Sequence, residues 1–234
     1  MANVVLIRPP SIVSAGTTSG FLTPPIGLAY LGASLRNSGH KVTIVDALGI
    51  DPGKSTYLGN KLILRGISFS DIINLIPKDS DLIGFSGMFS TDWVEIKPLV
   101  NMIGEKFREK YFIAGGEHFT AAPEICLEQC KDLDAISLGE GEETLIEISN
   151  AIDSNSSWLN IPGLVVRDNN KFIKTEKRNR LTKLDEIPKP AWDLIPINNY
   201  LDLNLSFGVE RGRTMPMLAS RGCPFQCTFC SSPY

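Results

Sequence analysis

The stretch IGLAYLGASLRNSG (residues 26–39), continued by HKVTIVDA (residues 40–47), decides the fold of this chain. Its first part has apolar residues at helical spacing and ends at Gly39, a residue type that commonly terminates helices. Its second part is a nearly continuous run of apolar and β-branched residues, typical of a strand that is buried on both faces. A helix that runs directly into such a strand predicts one unit of a doubly wound α/β domain.

The same alternation extends over the first two thirds of the chain. Further helical patterns follow at residues 93–110, 121–130 and 142–152, and strand-like runs lie at residues 3–7, 41–47, 81–86, 111–116 and 134–139. This arrangement predicts an α/β fold with a doubly wound, Rossmann-like parallel sheet of five strands over residues 1–153. Residues 48–78 fit the scheme least well, since GIDPGKSTYLGN (49–60) looks like loop.

The composition changes after residue 153. Residues 162–176 contain two β-rich runs around Asp168-Asn169-Asn170, which predicts a β-hairpin, and residues 184–200 carry three prolines, which predicts an extended linker strapped over a surface. We expect the hairpin and linker to fill residues 154–213. Residues 214–234 would then begin a third region, with a strand at 216–220 that leads into a cysteine loop, as at the start of a (β/α) barrel.

Bulk properties narrow the function classes. The chain has 234 residues, a formal net charge of −3 and no run of Lys or Arg, which argues against a nucleic-acid binder that neutralises phosphates. No apolar run approaches the ~18 residues that span a bilayer, and the N-terminus does not resemble a signal peptide. Three of the five cysteines are clustered, which indicates reduced thiols and a cytoplasmic protein.

The loops at the carboxyl ends of the predicted strands form the expected ligand edge. They are rich in Gly, Ser and Thr, which lets the backbone approach a large polar ligand closely. The first loop lacks the G-x-G-x-x-G pattern of nicotinamide-binding domains. Each of the other loops also has a simpler interpretation as a turn that caps the next helix, and the carboxylates of GEGEETL (139–145) suit a helix N-terminus.

Isolated polar residues give weaker signals. Asp46 resembles a ribose-binding acid, but we favour a surface turn carboxylate. His40 lies at the opposite edge and is interpreted as structural, whereas His118 lies at the ligand edge, where a hydrogen-bonding role is favoured over metal ligation. Cys126 and Cys130 share one helical face and are expected to be small buried residues.

The cysteines of RGCPFQCTFC (221–230) have the spacing C-x3-C-x2-C. A structural zinc site needs a fourth ligand, and none follows nearby. A [4Fe–4S] cluster held by the three thiolates of Cys223, Cys227 and Cys230 leaves one iron open, and an open iron can chelate an amino acid. A redox disulfide is the alternative. Phe229 would add an apolar surface beside that iron.

The segment PMLASRGCPFQCTFC (216–230) resembles the entry to the core of radical S-adenosylmethionine enzymes. The cluster motif of that family is matched here by Cys223, Cys227, Phe229 and Cys230. The preceding region resembles the domain that binds cobalamin in the B12-dependent branch of that family. Residues 23–47, IGFSGM (83–88), GGEH (115–118), LGEGEETL (138–145) and LDEIPKPAWDLI (184–195) fall in the family's order. The resemblance therefore spans essentially the whole chain.

The resemblance implies three cofactors and a radical reaction. Cys223, Cys227 and Cys230 would ligate the [4Fe–4S] cluster, and Phe229 would lie beside S-adenosylmethionine. Cobalamin would lie over the carboxyl edge, in contact with Ser86, Gly87, Gly115, Gly116, His118, Gly139 and Gly141. A 5′-deoxyadenosyl radical would activate an unreactive carbon for methylation. An electron donor such as flavodoxin or ferredoxin is the expected partner; no nucleic-acid partner is expected, and the small-molecule substrate and the catalytic side chains are not indicated.

Two features depart from the family pattern. The first loop, IRPPSIVSAGTTSG (7–20), lacks the D-x-H-x-x-G motif of many B12 domains, so we expect the lower face of the cobalt to have no histidine ligand. A barrel also needs on the order of 200 further residues, so we expect the chain to be the front part of a longer enzyme. Three alternatives stay open: a cobalamin-binding module without catalysis, a cyclase or rearrangement enzyme, and a radical enzyme whose B12 domain is vestigial.

Overall fold

The computed structural model describes residues 1–16, 22–169, 171–203 and 212–230. Its strands are β1 (Asn3–Arg8), β2 (Ser11–Ser14), β3 (Lys41–Asp46), β4 (Ser55–Gly59), β5 (Leu62–Arg65), β6 (Leu82–Ser86), β7 (Tyr111–Gly115), β8 (Ala135–Ser137), β9 (Leu164–Asp168) and β10 (Lys171–Lys174). Its helices are α1 (Ile26–Asn37), α2 (Ala47–Ile50), α3 (Phe69–Leu75), α4 (Ser90–Lys106), α5 (Glu117–Ala121), α6 (Pro123–Gln129), α7 (Glu142–Ser154) and α8 (Ile197–Asp202). The unit of α1 and β3 predicted from residues 26–47 is confirmed.

The main sheet has the strand order β10-β9-β8-β7-β6-β1-β3. The five strands from β8 to β3 are parallel, as predicted. The predicted hairpin forms as β9 and β10, but it extends this same sheet, because β9 pairs antiparallel with the edge of β8. Leu164, Val165 and Val166 of β9 are buried, so the hairpin completes the hydrophobic core instead of standing apart from it.

Helices cover both faces of the sheet and create two cores. Val5 and Ile7 of β1 point into the core beneath α3, α4 and α6, whereas Val4 and Leu6 point into the core beneath α1 and α7. This alternation follows from the two-residue period of a strand. It also explains why the strand sequences are apolar throughout, since neither face meets water.

The interpretation of residues 49–60 as loop is wrong, because Ser55–Gly59 forms β4. β2, β5 and β4 form a small antiparallel sheet, and α3 begins with a capping box in which Ser68 and Asp71 bond each other's backbone. Asn60 and Lys61, both with positive φ, make the turn between β4 and β5. β4 is mostly exposed and β5 has only four residues, so the short apolar run of Leu62, Ile63 and Leu64 lies among turn-forming residues.

The segment that follows the hairpin folds back over the sheet. It contains single 3-10 turns at Leu184–Glu186 and Trp192–Leu194 and ends in the short helix α8, so the extended linker has more local structure than expected. We call residues 184–203 the strap. Residues 216–220 are not a strand, contrary to the prediction, because no described strand pairs with them, and Met217 is largely exposed. Over the described part of the chain, no helix has the length and apolar character needed to cross a bilayer.

Candidate cofactor site at the carboxyl edge of the sheet

The structure brings the predicted site residues of the α/β domain to one edge of the sheet. Ser86 ends β6 and Gly115 ends β7, while Gly139 and Gly141 lie in the turn between β8 and α7. Because parallel strands point the same way, their carboxyl ends meet at this edge. The edge, here called the rim, is where a ligand could contact several loops at once.

Gly87 and Gly116 hold two of the rim loops together. Gly87 N–H donates to the Gly115 carbonyl at 2.9 Å, and its own carbonyl accepts from His118 N–H at 3.2 Å. Gly116 has a φ of 108°, and a Cβ at this position would lie 2.5 Å from the Gly87 carbonyl oxygen. These glycines therefore have a structural function, whichever ligand the rim binds.

His118 is buried beneath the rim. Its Nδ1 lies 2.8 Å from Ser90 Oγ and its Nε2 lies 3.3 Å from Cys126 Sγ, and its ring packs against Trp93 at a centroid distance of 5.4 Å. Burial lowers the pKa of His118, which favours the neutral imidazole. Both ring nitrogens are engaged, so the hydrogen-bonding role fits this geometry and metal ligation does not.

A cavity of about 100 Å³ opens beside His118, between the ends of β1 and β6 and the start of α4. Its walls are mostly apolar and include Phe85, Met88 and Trp93. Its polar lining residues are Arg8, Ser11, Ser86, Asp92 and His118. This volume is too small to enclose a macrocycle. It can accept a side group of a ligand that lies across the rim.

Three buried hydroxyls on the other face of the sheet have no hydrogen-bond partner among the described residues. They belong to Ser34 of α1, Ser137 of β8 and Thr144 of α7. Ser137 lies between two rim glycines, because a Cβ on Gly115 would meet its Cβ at 3.6 Å and one on Gly141 its Oγ at 4.0 Å. Buried polar groups are normally paired, so three unpaired hydroxyls beneath α1 and α7 indicate room for a polar ligand group.

Asp46 is fully buried, so its interpretation as a surface turn carboxylate is wrong. Its carboxylate accepts from Gly49 N–H at 3.0 Å and from the Tyr200 hydroxyl at 2.6 Å. Arg8 donates to the same hydroxyl at 2.6 Å and lies 3.8 Å from the carboxylate. The strap thus inserts Tyr200 between two charged groups at the rim, a role that local sequence did not indicate.

The cysteine loop lies at the surface. Cys223, Cys227 and Phe229 are exposed, Cys230 is half-buried, and Cys230 N–H donates to the Cys227 carbonyl at 3.1 Å. Within the described ranges, no three His, Cys, Asp or Glu side chains lie close enough together to hold a metal ion. The three thiols are therefore not gathered by the polypeptide itself, and the cluster assignment stays a prediction.

The other two cysteines behave as the sequence predicted. Cys126 and Cys130 are completely buried in the core beneath α4 and α6. Burial raises the pKa of the Cys126 thiol to about 11 and that of Cys130 to about 12. Both are thus neutral small residues at physiological pH, with no thiolate for redox or metal chemistry.

Sequence reasoning missed Arg221, the residue two positions before the first clustered cysteine. Its guanidinium lies 2.5 Å from a Glu142 carboxylate oxygen, 3.6 Å from one of Glu140 and 5.0 Å from the Tyr30 ring centroid. The carboxylates of residues 139–145, explained above by the helix dipole alone, therefore also bind a cation. An arginine directly before the cysteine loop and an acidic turn on the rim were the available signals.

The chain is similar to known proteins in sequence and in fold. Residues 12–149 match the B12 binding domain. The chain belongs to the B12 binding domain family. This family accounts for the open rim of glycine-rich loops on a doubly wound sheet.

Curated relatives extend the similarity beyond that domain. An uncharacterised methyltransferase of Pyrococcus horikoshii, PH0819, is 33% identical over 231 residues, which is 98% of this chain and 45% of the relative. Cytidylyl-2-hydroxyethylphosphonate methyltransferase of Streptomyces wedmorensis is 26% identical over 91% of this chain and 44% of its own length. The chain thus spans less than half the length of these relatives.

A solved structure shares the fold. The cobalamin-dependent S-adenosylmethionine radical enzyme OxsB, with aqua-cobalamin and S-adenosylmethionine bound, superposes with a TM-score of 0.74. The match covers 98% of this chain and 28% of OxsB at 19% identity. At this identity, the likeness concerns the fold alone.

Proposed function

We propose that this chain is the cobalamin-binding and cluster-bearing part of a radical S-adenosylmethionine enzyme that methylates an unactivated carbon. One observation carries the proposal: a B12 binding domain and a C-x3-C-x2-C loop occur in one chain that aligns over 98% of its length with a methyltransferase relative. The chemistry of an open iron, described above for the cysteine loop, supports the use of S-adenosylmethionine.

The rim residues suit cobalamin. In this proposal, Ser86, Gly87, Gly115, Gly116, His118, Gly139 and Gly141 contact it. The unpaired hydroxyls of Ser34, Ser137 and Thr144 offer hydrogen bonds to a polar nucleotide tail beneath α1 and α7. Bound cobalamin would supply a cobalt centre that carries the methyl group. The glycines would let the backbone of the rim loops approach a large polar ligand closely.

His118 would contact the cofactor without ligating cobalt. Ser90 and Cys126 already engage its two ring nitrogens, and the first rim loop has no histidine in its sequence. Residues 17–21 of that loop lie outside the described residues. We therefore propose that the lower face of the cobalt has no histidine ligand.

The cysteine loop suits an iron–sulfur cluster by its donor chemistry. Thiolates of Cys223, Cys227 and Cys230 would bind three irons, and Phe229 would cover the side where S-adenosylmethionine lies. The cluster would supply the electron that cleaves S-adenosylmethionine. An exposed loop can adjust its backbone on metal binding, which is compatible with thiols that are not yet gathered. A cytoplasmic electron donor such as flavodoxin or ferredoxin and a small-molecule substrate complete the proposal.

Cobalamin retention tests the first half of the proposal. The purified chain is incubated with hydroxocobalamin and desalted, and its cobalt content and visible spectrum are recorded. We expect near-stoichiometric cobalt and a spectrum without a lower nitrogen ligand. A chain that retains no cobalt contradicts cobalamin binding by this part alone, and the same measurement on the longer enzyme that contains it separates a vestigial domain from a site that needs the barrel. A histidine-ligated spectrum contradicts the role given to His118.

Cys227→Ala tests the second half. In the enzyme that contains this chain, we expect the substitution to abolish cleavage of S-adenosylmethionine to 5′-deoxyadenosine and to lower cluster iron, because a three-thiolate site loses a ligand. Cobalamin retention should not change, since Cys227 lies outside the sheet. Cys130→Ala is the matched control, because this thiol is buried in the core beneath α4 and α6 and is not a proposed ligand. Cleavage retained in Cys227→Ala would contradict the ligand assignment.

A further inference from the structure

Arg221, two residues before the first clustered cysteine, links the cysteine loop to the rim. Arg221 reaches Glu142 at 2.5 Å and Glu140 at 3.6 Å, and its guanidinium stacks over Tyr30 of α1. Glu140 also accepts from the Leu181 backbone N–H at 2.8 Å, so its carboxylate is fixed from a second direction. We call Arg221, Glu140 and Glu142 the latch.

The burial of the latch makes it stronger than a surface ion pair. The Glu142 side chain is only 9% exposed and the Arg221 side chain only 17% exposed. Exposed pairs contribute little, but a buried charge that loses its partner is strongly destabilised. The loop therefore cannot leave the rim without uncovering a carboxylate at the start of α7 and giving up the contact with Tyr30.

The position of the latch gives it a consequence for the site. Glu142 opens α7 directly after the turn of Gly139 and Gly141, and Arg221 precedes Cys223 by two residues. Gly222 between them has a φ of 79°, and a Cβ there would lie 2.5 Å from the guanidinium of Arg180. The chain thus turns sharply from the latch into the cysteine loop. Only Gly222 separates Arg221 from the first thiol, so the thiol lies close to the rim in sequence and cannot move far from it.

We propose that Arg221 is a positioning residue that holds the cysteine loop against the turn at residues 139–141 of the rim. Given the proposed function, this contact fixes the first cluster ligand relative to the cobalamin surface. The anchoring itself needs neither cofactor, because every group in the latch belongs to the polypeptide. Its test is therefore independent of cobalamin or iron binding.

The test measures the position of the cysteine loop in the 234-residue chain without cofactors. One nitroxide label is placed on Cys223, in a background of Cys227→Ser and Cys230→Ser, and a second on Val94→Cys. Val94 is 68% exposed on α4, which packs firmly on the sheet. Cys126 and Cys130 are buried and do not react. The distance distribution between the labels is measured by double electron–electron resonance.

With Arg221 present, we expect one narrow distance distribution. Arg221→Gln should broaden it about twofold, because the unpaired Glu142 then favours solvent over the loop. Arg221→Lys should restore much of the narrow distribution, since it keeps the charge. Glu142→Gln should broaden it as Arg221→Gln does, and the double variant should add little, as coupled partners do.

Arg213→Gln is the matched control. Arg213 also lies shortly before the cysteine loop and pairs with Asp202, but it does not reach the rim. Its distance distribution and its urea unfolding midpoint should both match those of the parent. The proposal is overturned if Arg221→Gln leaves the distribution unchanged, if the parent distribution is already broad, or if Arg213→Gln broadens it equally.

Discussion

At the scale of single residues, the buried pair of Asp46 and Tyr200 decides how the strap meets the rim. The Tyr200 hydroxyl donates to Asp46 at 2.6 Å and accepts from Arg8 at 2.6 Å, and burial raises the pKa of Tyr200. A buried carboxylate that loses a donor incurs a desolvation penalty that packing does not offset. The hydroxyl thus connects the first strand, the third strand and the strap.

We expect Tyr200→Phe to lower the free energy of unfolding by about 1–3 kcal/mol, the usual effect of leaving a buried polar group unsatisfied. Urea denaturation followed by circular dichroism measures it. Tyr57→Phe serves as the control. Tyr57 is 66% exposed, so the loss of its hydroxyl should change the free energy of unfolding little. Equal midpoints for Tyr200→Phe and the parent would show that the hydroxyl is not needed to hold the strap.

Asp134, just before β8, predicts a pH dependence of stability. Burial raises its pKa to about 6, although Phe112 N–H donates to it at 2.7 Å. Its folded pKa thus lies above the unfolded value of 3.8, so the folded state binds more protons between these values. Stability should therefore fall by about 1–3 kcal/mol as the pH rises from about 4 to 6.

Asp134→Asn should remove this pH dependence, because the amide oxygen can still accept from Phe112 and carries no charge to desolvate. The measurement is the free energy of unfolding across this pH range. Asp168→Asn, at the exposed end of β9, is the control and should keep the parent slope. If Asp134→Asn retains the slope, another group is responsible for it.

At the scale of elements, the rim depends on two loops that touch through glycine. Gly116 and Gly39 both have positive φ, 108° and 87°, but only Gly116 would place a Cβ against backbone, 2.5 Å from the Gly87 carbonyl oxygen. Gly39 has open space around it. A substitution at Gly39 therefore tests the strain of a left-handed backbone alone. A substitution at Gly116 adds the steric clash with the Gly87 carbonyl.

We expect both Gly39→Ala and Gly116→Ala to destabilise by about 1 kcal/mol through the backbone conformation, with a further loss for Gly116→Ala from the clash. Gly116→Ala should also reduce cobalamin retention, because it pushes the loops after β6 and β7 apart, whereas Gly39→Ala should not. Unfolding midpoints and bound cobalt report the two effects. Equal cobalt in the two variants would place the cofactor away from these loops.

The sequence predicted those elements whose patterns are local. Apolar strands such as β1 and β3, and the helix α1 that ends near Gly39, follow from periodicity and turn chemistry. The small sheet of β2, β5 and β4 escaped prediction because its strands have only four or five residues, and turn-forming residues such as Gly59 and Asn60 adjoin the short apolar run of β5. The attachment of β9 to β8 escaped it as well, since a hairpin sequence does not state which edge it joins.

At the scale of the whole molecule, the sequence likewise predicted the local features of the site but not its long-range contacts. The rim glycines could be predicted because each follows a strand of one parallel sheet. The contacts that close the site could not, since they join distant segments: Tyr200 with Asp46, and Arg221 with Glu142. Charge pairing between such residues depends on the tertiary fold, which local spacing does not encode.

The strap is the part of the molecule that joins the α/β domain to the cysteine loop. Arg36 makes two bonds to Asp193, at 2.6 and 3.1 Å, and Ala191 N–H donates to the Ala29 carbonyl at 2.9 Å. Ile195 and Tyr200 are buried in a small core with Leu48. Although the linker sequence has little regular structure, its packing makes it part of the folded domain.

We therefore expect a chain that ends at residue 183 to lose about 3–6 kcal/mol of stability relative to one that ends at residue 203, mainly from two large side chains no longer buried. Urea denaturation of the two chains measures the difference. The chain ending at 203 lacks Arg221 but keeps the strap, so its comparison with the 234-residue chain separates the loss of the latch from the loss of the strap. If the chains ending at 183 and 203 are equally stable, the strap is a tether and not a part of the folding unit, and the rim must keep its shape without it.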